Sequence, residues 1–169
     1  MTANPDKKDA ASRVGLADLG DTPRPYQVRL SPAELEEAAR RLDVPAVQRL
    51  EADFTLIKSG VLVHLTGKLW ADLTRICVVT LDELPESVAA DFALDFTTEA
   101  LPEVTGEEEV SIEDDEPEPL EADYLDLHDI AVQQLSLEMT QYPRKEGAEM
   151  PSSGKDDRNL SPFSILKPN

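Results

Sequence analysis

Few side chains in the sequence have the types and spacing that chemistry needs. Cys77 is the only cysteine, which excludes an intrachain disulfide and a zinc site of several thiolates. The apolar run 76–79 around it favours a buried, inert thiol. His64 falls in a predicted strand and His128 in the first turn of a predicted helix, and neither has the neighbours of a catalytic set. The acidic run 113–116 lacks the glycine-centred loop of a calcium site, so we expect no metal and no cofactor.

The signature motifs of common enzyme classes are missing as well. The chain has no GxxxxGKS/T, GxGxxG, HExxH or GxSxG, the motifs of phosphate loops, dinucleotide sites, zinc proteases and serine hydrolases. A nuclease that binds Mg²⁺ through carboxylates needs acids held rigidly in a pocket, whereas the acids here are concentrated in a predicted loop. The sequence therefore predicts a non-enzymatic protein.

The negative charge is concentrated in one region of the chain. The 169 residues include 35 acidic and 16 basic side chains, a net charge of −19. Between Arg75 and Arg144 there is no lysine or arginine, and 20 of the acids lie there, 12 of them within residues 99–123. This region would repel a nucleic-acid backbone and would attract a basic protein. The alternative is a surface that is only well solvated.

Two helices are predicted near the N-terminus and one near the C-terminus. The segment Ser31-Pro-Ala-Glu34 gives the first helix a cap, a proline at its first position and a capping box. Pro45 interrupts that pattern, and residues 43–50 are predicted to begin a second, short helix. A third, amphipathic helix is predicted within residues 126–143.

The rest of the predicted core is a sheet. Residues 88–97 alternate strictly between an apolar set and a second set that contains the polar residues, which is typical of a strand with one packed face. The apolar set is Val88, Ala90, Phe92, Leu94 and Phe96. The other predicted strands are residues 26–30, 53–59, 61–65 and 69–79, the middle two joined by a turn. These elements predict an α+β fold with an antiparallel sheet or open β-barrel-like core, two N-terminal helices and one C-terminal amphipathic helix.

One domain with two tails is predicted. Residues 1–24 are expected to form a disordered N-terminal tail, residues 25–144 a single domain containing an acidic loop at 99–123, and residues 145–169 a flexible tail with a short docking motif at 160–166.

No apolar run approaches the ~20 residues of a membrane span, and no signal peptide is indicated. We therefore expect a cytoplasmic protein without membrane contact.

Several short motifs in a fixed order carry a resemblance to a known family. They are Cys77-Val-Val-Thr-Leu-Asp82, Pro117-Glu-Pro-Leu-Glu121, Asp126-Leu-His-Asp-Ile-Ala-Val-Gln-Gln-Leu135, Tyr142-Pro-Arg144 and Ser161-Pro-Phe-Ser-Ile-Leu166. From about Tyr26 to Leu166 the chain resembles the YceD-like large ribosomal RNA subunit accumulation proteins. The resemblance implies a small, non-enzymatic bacterial factor needed for accumulation of the 23S ribosomal RNA and for assembly of the large subunit.

Many members of that family carry Cys-x-x-Cys where this chain has Cys77 and then Thr80. The second thiolate is therefore missing, and no zinc or redox role is expected. The family's short ending favours the segment around Phe163 as a docking motif, because its apolar side chains could anchor a tail.

The predicted partner is a basic ribosomal protein or a large-subunit assembly intermediate, with any association with ribosomal RNA being indirect. The predicted partner-binding residues are Glu107, Glu108, Glu109, Glu113, Asp114, Asp115, Glu116, Tyr142, Pro143, Arg144 and Phe163. One alternative is direct contact of the basic N-terminal helices with ribosomal RNA, for which the contact residues would be Arg40, Arg41 and Arg49. Another is an acidic protein-interaction domain of unassigned role.

Overall fold

The protein is built mainly from β-strands. The computed structural model describes residues 12–99 and 117–148. In chain order the elements are β1 (Arg13–Gly15), a 3₁₀ turn (Leu16–Asp18), β2 (Arg24–Arg29), α1 (Pro32–Leu42), β3 (Ala46–Ser59), β4 (Leu62–Ile76), β5 (Glu83–Thr97), β6 (Glu118–Pro119), β7 (Tyr124–Asp126) and α2 (Leu127–Glu138).

The predicted fold class, α+β with two N-terminal helices, is wrong. The described segments contain two α-helices and seven strands, and the first helix begins at Pro32. Residues 43–50, predicted to begin a second helix, lead into β3 instead. A bulge at Gln48 places Val47 and Leu50 on the same buried face although they are three residues apart. Apolar residues three positions apart are also typical of a helix. In the structure, however, this segment pairs with β4 and is therefore a strand.

Strands β2 to β6 form one sheet in the order β2-β3-β4-β5-β6, in which every neighbouring pair is antiparallel except β5 and β6. Its centre is the long hairpin of β3 and β4, which turns at Gly60 with a φ of +61° that suits a residue without a side chain. Strands β1 and β7 pair antiparallel in a separate two-stranded sheet.

The two faces of the large sheet differ in composition. Alternate residues of β4 from Val63 to Leu73 are buried, and they share one apolar core with side chains from α1 and α2. The opposite face carries charged side chains in cross-strand pairs, including Arg49 with Asp72 at 2.7 Å and His64 with Asp95. This division is the period-two pattern of a sheet that is packed on one side.

Part of the segment predicted as an N-terminal tail is folded onto the domain. Within residues 12–24, Val14, Leu16 and Leu19 are buried, and the Leu16 N–H donates to the Asp123 carbonyl at 2.8 Å. These apolar residues show no sustained periodicity because β1 has only three residues and a 3₁₀ turn follows it. Residues 1–11 lie outside the described residues.

The predicted acidic loop and C-terminal tail are described only at their ends. Residues 117–123 return to the sheet as β6, where the Leu120 N–H donates to the Thr97 carbonyl at 2.8 Å. Residues 100–116 and 149–169, including the docking motif predicted at 160–166, lie outside the described residues.

Both α-helices begin where the sequence predicts. The capping box of α1 is present, with the Ser31 N–H donating to the Glu34 carboxylate at 2.7 Å. The Asp126 carboxylate caps α2 by accepting from the His128 and Asp129 N–H groups. In residues 12–99 and 117–148, neither helix has the length and apolar character needed to cross a membrane.

Candidate functional site

Two segments that are far apart in the sequence meet at one end of the sheet. The β4–β5 connection, residues 77–82, contacts the chain that follows α2, and the Val78 N–H donates to the Pro143 carbonyl at 3.0 Å. Within the connection, the Cys77 N–H donates to the Asp82 carbonyl at 2.8 Å and the Leu81 N–H to the Cys77 carbonyl at 3.0 Å. We call residues 76–82 together with 142–145 the tip.

The Cys77 thiol is the acceptor at the centre of the tip. It is buried, and its sulfur accepts from the backbone N–H of Lys145 at 3.3 Å and of Thr80 at 3.4 Å. Hydrogen bonds from the Thr80 side chain and from these N–H groups lower the pKa of Cys77 to about 6. The sulfur, which solvent does not reach, therefore links the β4–β5 connection to the segment that follows α2.

An ion pair on the surface also joins the β4–β5 connection to residues 142–145. The Lys145 ammonium lies 3.1 Å from the Asp82 carboxylate, with both side chains about half exposed. That hydrogen bond, followed by one from Thr80, lowers the pKa of Asp82. The pair helps to orient residue 145 against the β4–β5 connection. Because both side chains are about half exposed, its contribution to stability is small.

A largely buried ion pair, Arg75 with Glu86, holds the chain between α2 and the tip, and we call these two residues and Thr140 the clamp. Arg75 and Glu86 face each other at 3.0 Å with only 13% of each side chain exposed. Glu86 also accepts from the Thr140 N–H at 2.8 Å, and Arg75 donates to the Thr140 carbonyl at 3.1 Å. The residues that lead into 142–145 are therefore held against the sheet.

The tip exposes an unusual share of apolar surface. Eight large apolar side chains are exposed in the described segments, and four of them belong to the tip: Ile76, Val78, Leu81 and Tyr142. Leu81 and Tyr142 are the most accessible of the four, at 75% and 70%. Exposed apolar groups gathered at one place are typical of a surface that contacts another macromolecule.

Leu81 adopts a backbone conformation that leucine normally avoids. Its φ is +62°, in the left-handed region that costs a residue with a Cβ roughly 1–2 kcal/mol. Glycine or asparagine would fit this position with less strain. A strained, exposed leucine adds nothing to the core, and strain of this kind tends to occur at functional positions.

The three predicted tip residues have different surroundings. Tyr142 and Arg144 are exposed, whereas Pro143 is buried and contributes its carbonyl to Val78. The other predicted partner-binding residues lie outside the described residues: Glu107, Glu108, Glu109, Glu113, Asp114, Asp115, Glu116 and Phe163.

The arginines predicted to contact RNA all carry carboxylate partners. Arg40 pairs with Glu37 at 2.8 Å, Arg41 pairs with Asp129, and Arg49 pairs with Asp72 at 2.7 Å. Arg40 and Arg41 belong to α1, while Arg49 lies on β3, on the charged face of the sheet. Pairing of this kind reduces the positive charge that each offers to a phosphate.

Each of the two histidines lies next to a carboxylate. His64 faces Asp95 across the open face of the sheet, and His128 lies 3.3 Å from Glu34, between α2 and α1. No three histidine, cysteine or carboxylate side chains of residues 12–99 and 117–148 could hold a metal ion together. The surface of the tip therefore combines exposed apolar side chains with exposed charged side chains.

Comparison with known proteins adds no relative. No protein-family model, curated protein or solved structure matches the chain. Membership of the YceD-like family therefore stays a prediction.

Replacing Cys77 by alanine should produce a pH-dependent loss of stability. The folded pKa of about 6 lies below the ordinary value near ~8.5. The thiolate therefore contributes stability that is fully present above the ordinary pKa and is lost as the pH falls through the folded one. Urea unfolding of the natural protein and of Cys77→Ala should show a gap that is widest near pH ~9 and narrows toward pH ~6. A gap that does not change with pH would contradict a hydrogen-bonded thiolate.

Proposed function

We propose that the protein is a non-enzymatic cytoplasmic factor that supports accumulation of the 23S ribosomal RNA and assembly of the large ribosomal subunit. In this proposal it binds a basic ribosomal protein or an assembly intermediate. The observation that carries the proposal is the tip, because the motifs 77–82 and 142–144, both part of the resemblance to YceD-like proteins, meet there through the Val78–Pro143 hydrogen bond.

The charge distribution supports a basic partner. The 68 residues between Arg75 and Arg144 contain 20 acids and no lysine or arginine, and this region includes β5, β6 and most of the tip. Complementary fields speed the association of such a surface with a basic protein, and salt screens them. Binding is therefore expected to weaken steeply as the salt concentration rises.

Direct RNA binding has less support. Arg40, Arg41 and Arg49 are each paired with a carboxylate. They also belong to two elements, a helix and a strand, rather than to the pair of basic helices that the alternative requires.

The proposal is tested by adding the full chain to ribosome-containing lysate and separating particles on a sucrose gradient at low salt. We expect the chain to sediment with precursors of the large subunit. Leu81→Asn should reduce its share in those fractions at least ~10-fold, as expected for loss of a central apolar contact. Asparagine tolerates the left-handed conformation at this position, so folding is retained.

Leu62→Asn is the matched control, since Leu62 is also exposed but lies at the opposite end of β4, roughly 45 Å away at ~3.3 Å per residue. It should sediment like the natural protein. Equal losses for the two variants would contradict a contact through the tip. Absence of the natural chain from every particle fraction would contradict the proposed function itself.

A further inference from the structure

Among residues 12–99 and 117–148, no strand lies beside the outer edge of β5 over most of its length. One side of β5 pairs with β4 from Glu83 to Thr97, whereas on the other side β6 pairs only with Phe96 and Thr97. Within residues 12–99 and 117–148, no backbone group pairs with the outer side of residues 83–95. The Thr140 N–H approaches the Glu86 side chain at the start of this edge. The remaining stretch, residues 87–95, is about 30 Å long at ~3.3 Å per residue.

A groove lies beside one end of this edge, at Leu94. It has a volume of about 460 Å³ and lies between α2, the end of α1, β6 and Leu94 of β5. Its lining combines Leu42, Val132 and Leu137, the last of which is 74% exposed, with polar and charged residues from α1, α2 and β6. Val88, Phe92 and Leu94 on the core face of β5 are only partly buried. The apolar side chains of an added strand would therefore lie next to Val88, Phe92 and Leu94, and near Leu94 they would reach the groove.

On the open face of the sheet, the side chains along this edge are small or acidic. Ala89 and Ala93 are exposed there, next to Asp91 and Asp95. Asp91 has Lys68 at 3.6 Å and Asp95 has His64, but β5 and β6 contain no lysine or arginine of their own. An incoming strand with basic side chains on this face would meet opposite charge, while a second copy of β5 would bring like charges together.

We propose that the edge of β5 at residues 87–95 binds an extended, basic segment of a partner protein by β-strand addition. Backbone hydrogen bonds give such a complex its affinity, and alternate side chains give it specificity. Lysine or arginine on one side of the segment faces Asp91 and Asp95, and apolar residues on the other side enter the groove beside Leu94. This inference rests on the proposed function, because it names the chemistry of the basic partner and where that partner binds.

The test uses the full chain and a labelled synthetic peptide of alternating lysine and valine. Binding is followed by fluorescence anisotropy, and the site is mapped by amide hydrogen exchange of the protein. We expect slower exchange at alternate amides of residues 87–95. A peptide of the same sequence with every second backbone nitrogen methylated should not bind, because it cannot complete the strand ladder. Equal binding of the two peptides would overturn strand addition.

Two double variants at the same positions test the charge. Ala89→Lys with Ala93→Lys should weaken peptide binding about 10-fold, whereas Ala89→Glu with Ala93→Glu should strengthen it. Weakening by both pairs would overturn charge complementarity, and protection of the tip instead of β5 would overturn the assignment of the edge.

The gradient experiment separates this inference from the proposed function. A chain that sediments with large-subunit precursors but does not bind the peptide leaves the proposed function in place and overturns strand addition at β5. A chain that binds the peptide at β5 but never sediments with these particles supports the edge as a peptide site and contradicts the role in ribosome assembly.

Discussion

Glu86→Ala is expected to destabilise the protein by about 3 kcal/mol and to loosen the tip. Glu86 is the shared acceptor of the clamp, bonded to Arg75 at 3.0 Å and to the Thr140 N–H at 2.8 Å. Alanine removes both bonds and leaves Arg75, whose side chain is only 13% exposed, without its counterion. An uncompensated charge at low exposure costs more free energy than the loss of a surface ion pair.

The measurement is urea unfolding combined with amide hydrogen exchange at Val78. Because Val78 donates to Pro143, its exchange should accelerate in Glu86→Ala beyond what the global loss of stability accounts for. Glu86→Gln keeps an acceptor for Thr140 and should lie between the natural protein and Glu86→Ala in both readings.

Asp91→Ala is the control on the same strand. Asp91 pairs with Lys68 at 3.6 Å, and both side chains are largely exposed, so its loss should cost only ~0.2–1 kcal/mol. Similar losses for Glu86→Ala and Asp91→Ala would show that the clamp is an ordinary surface pair. Unchanged exchange at Val78 would show that the clamp does not position the tip.

The features predicted correctly from the sequence are local ones. The capping box at Ser31 and the cap at Asp126 depend on residues within one helical turn, and both are present. The alternation at 88–97 lies within β5, where neighbouring residues determine the pattern. The helix predicted at 43–50 was wrong because the bulge at Gln48 breaks the period of two, and the pairing that reveals it comes from β4.

The candidate site could be predicted only in part. Tyr142, Pro143 and Arg144 came from a motif, and in the structure the middle residue of that motif, Pro143, accepts a hydrogen bond from Val78. Leu81 was missed because an isolated leucine in a turn has no periodicity, and neither its exposure nor its left-handed backbone can be read from its neighbours. The contact between the two segments joins residues more than 60 positions apart, a separation over which local patterns carry no information.

Gly67→Ala is expected to destabilise the protein by about 2 kcal/mol, although simple propensity predicts the opposite. Alanine restricts the unfolded chain, which by itself would add ~0.4–1 kcal/mol of stability. However, the Phe92 ring lies across Gly67 and contacts Phe54 edge-on, with ring centroids 5.9 Å apart. A Cβ at position 67 would lie 2.7 and 2.8 Å from the Phe92 Cε atoms and still closer to Cζ. The ring must therefore move, which disturbs its contact with Phe54.

A double-mutant cycle tests this explanation directly. If the ring causes the loss, Gly67→Ala should cost less free energy of unfolding in a Phe92→Ala background, with a coupling of ~1–2 kcal/mol. Gly20→Ala is the matched control, because a Cβ there has no atom within 4 Å, and it should change stability by no more than ~0.5–1 kcal/mol. Urea unfolding of the five proteins gives all the values. If the losses in free energy of unfolding at positions 67 and 92 are strictly additive, the explanation is contradicted. Glycine would then be needed at position 67 for the backbone of β4 and not to make room for the Phe92 ring.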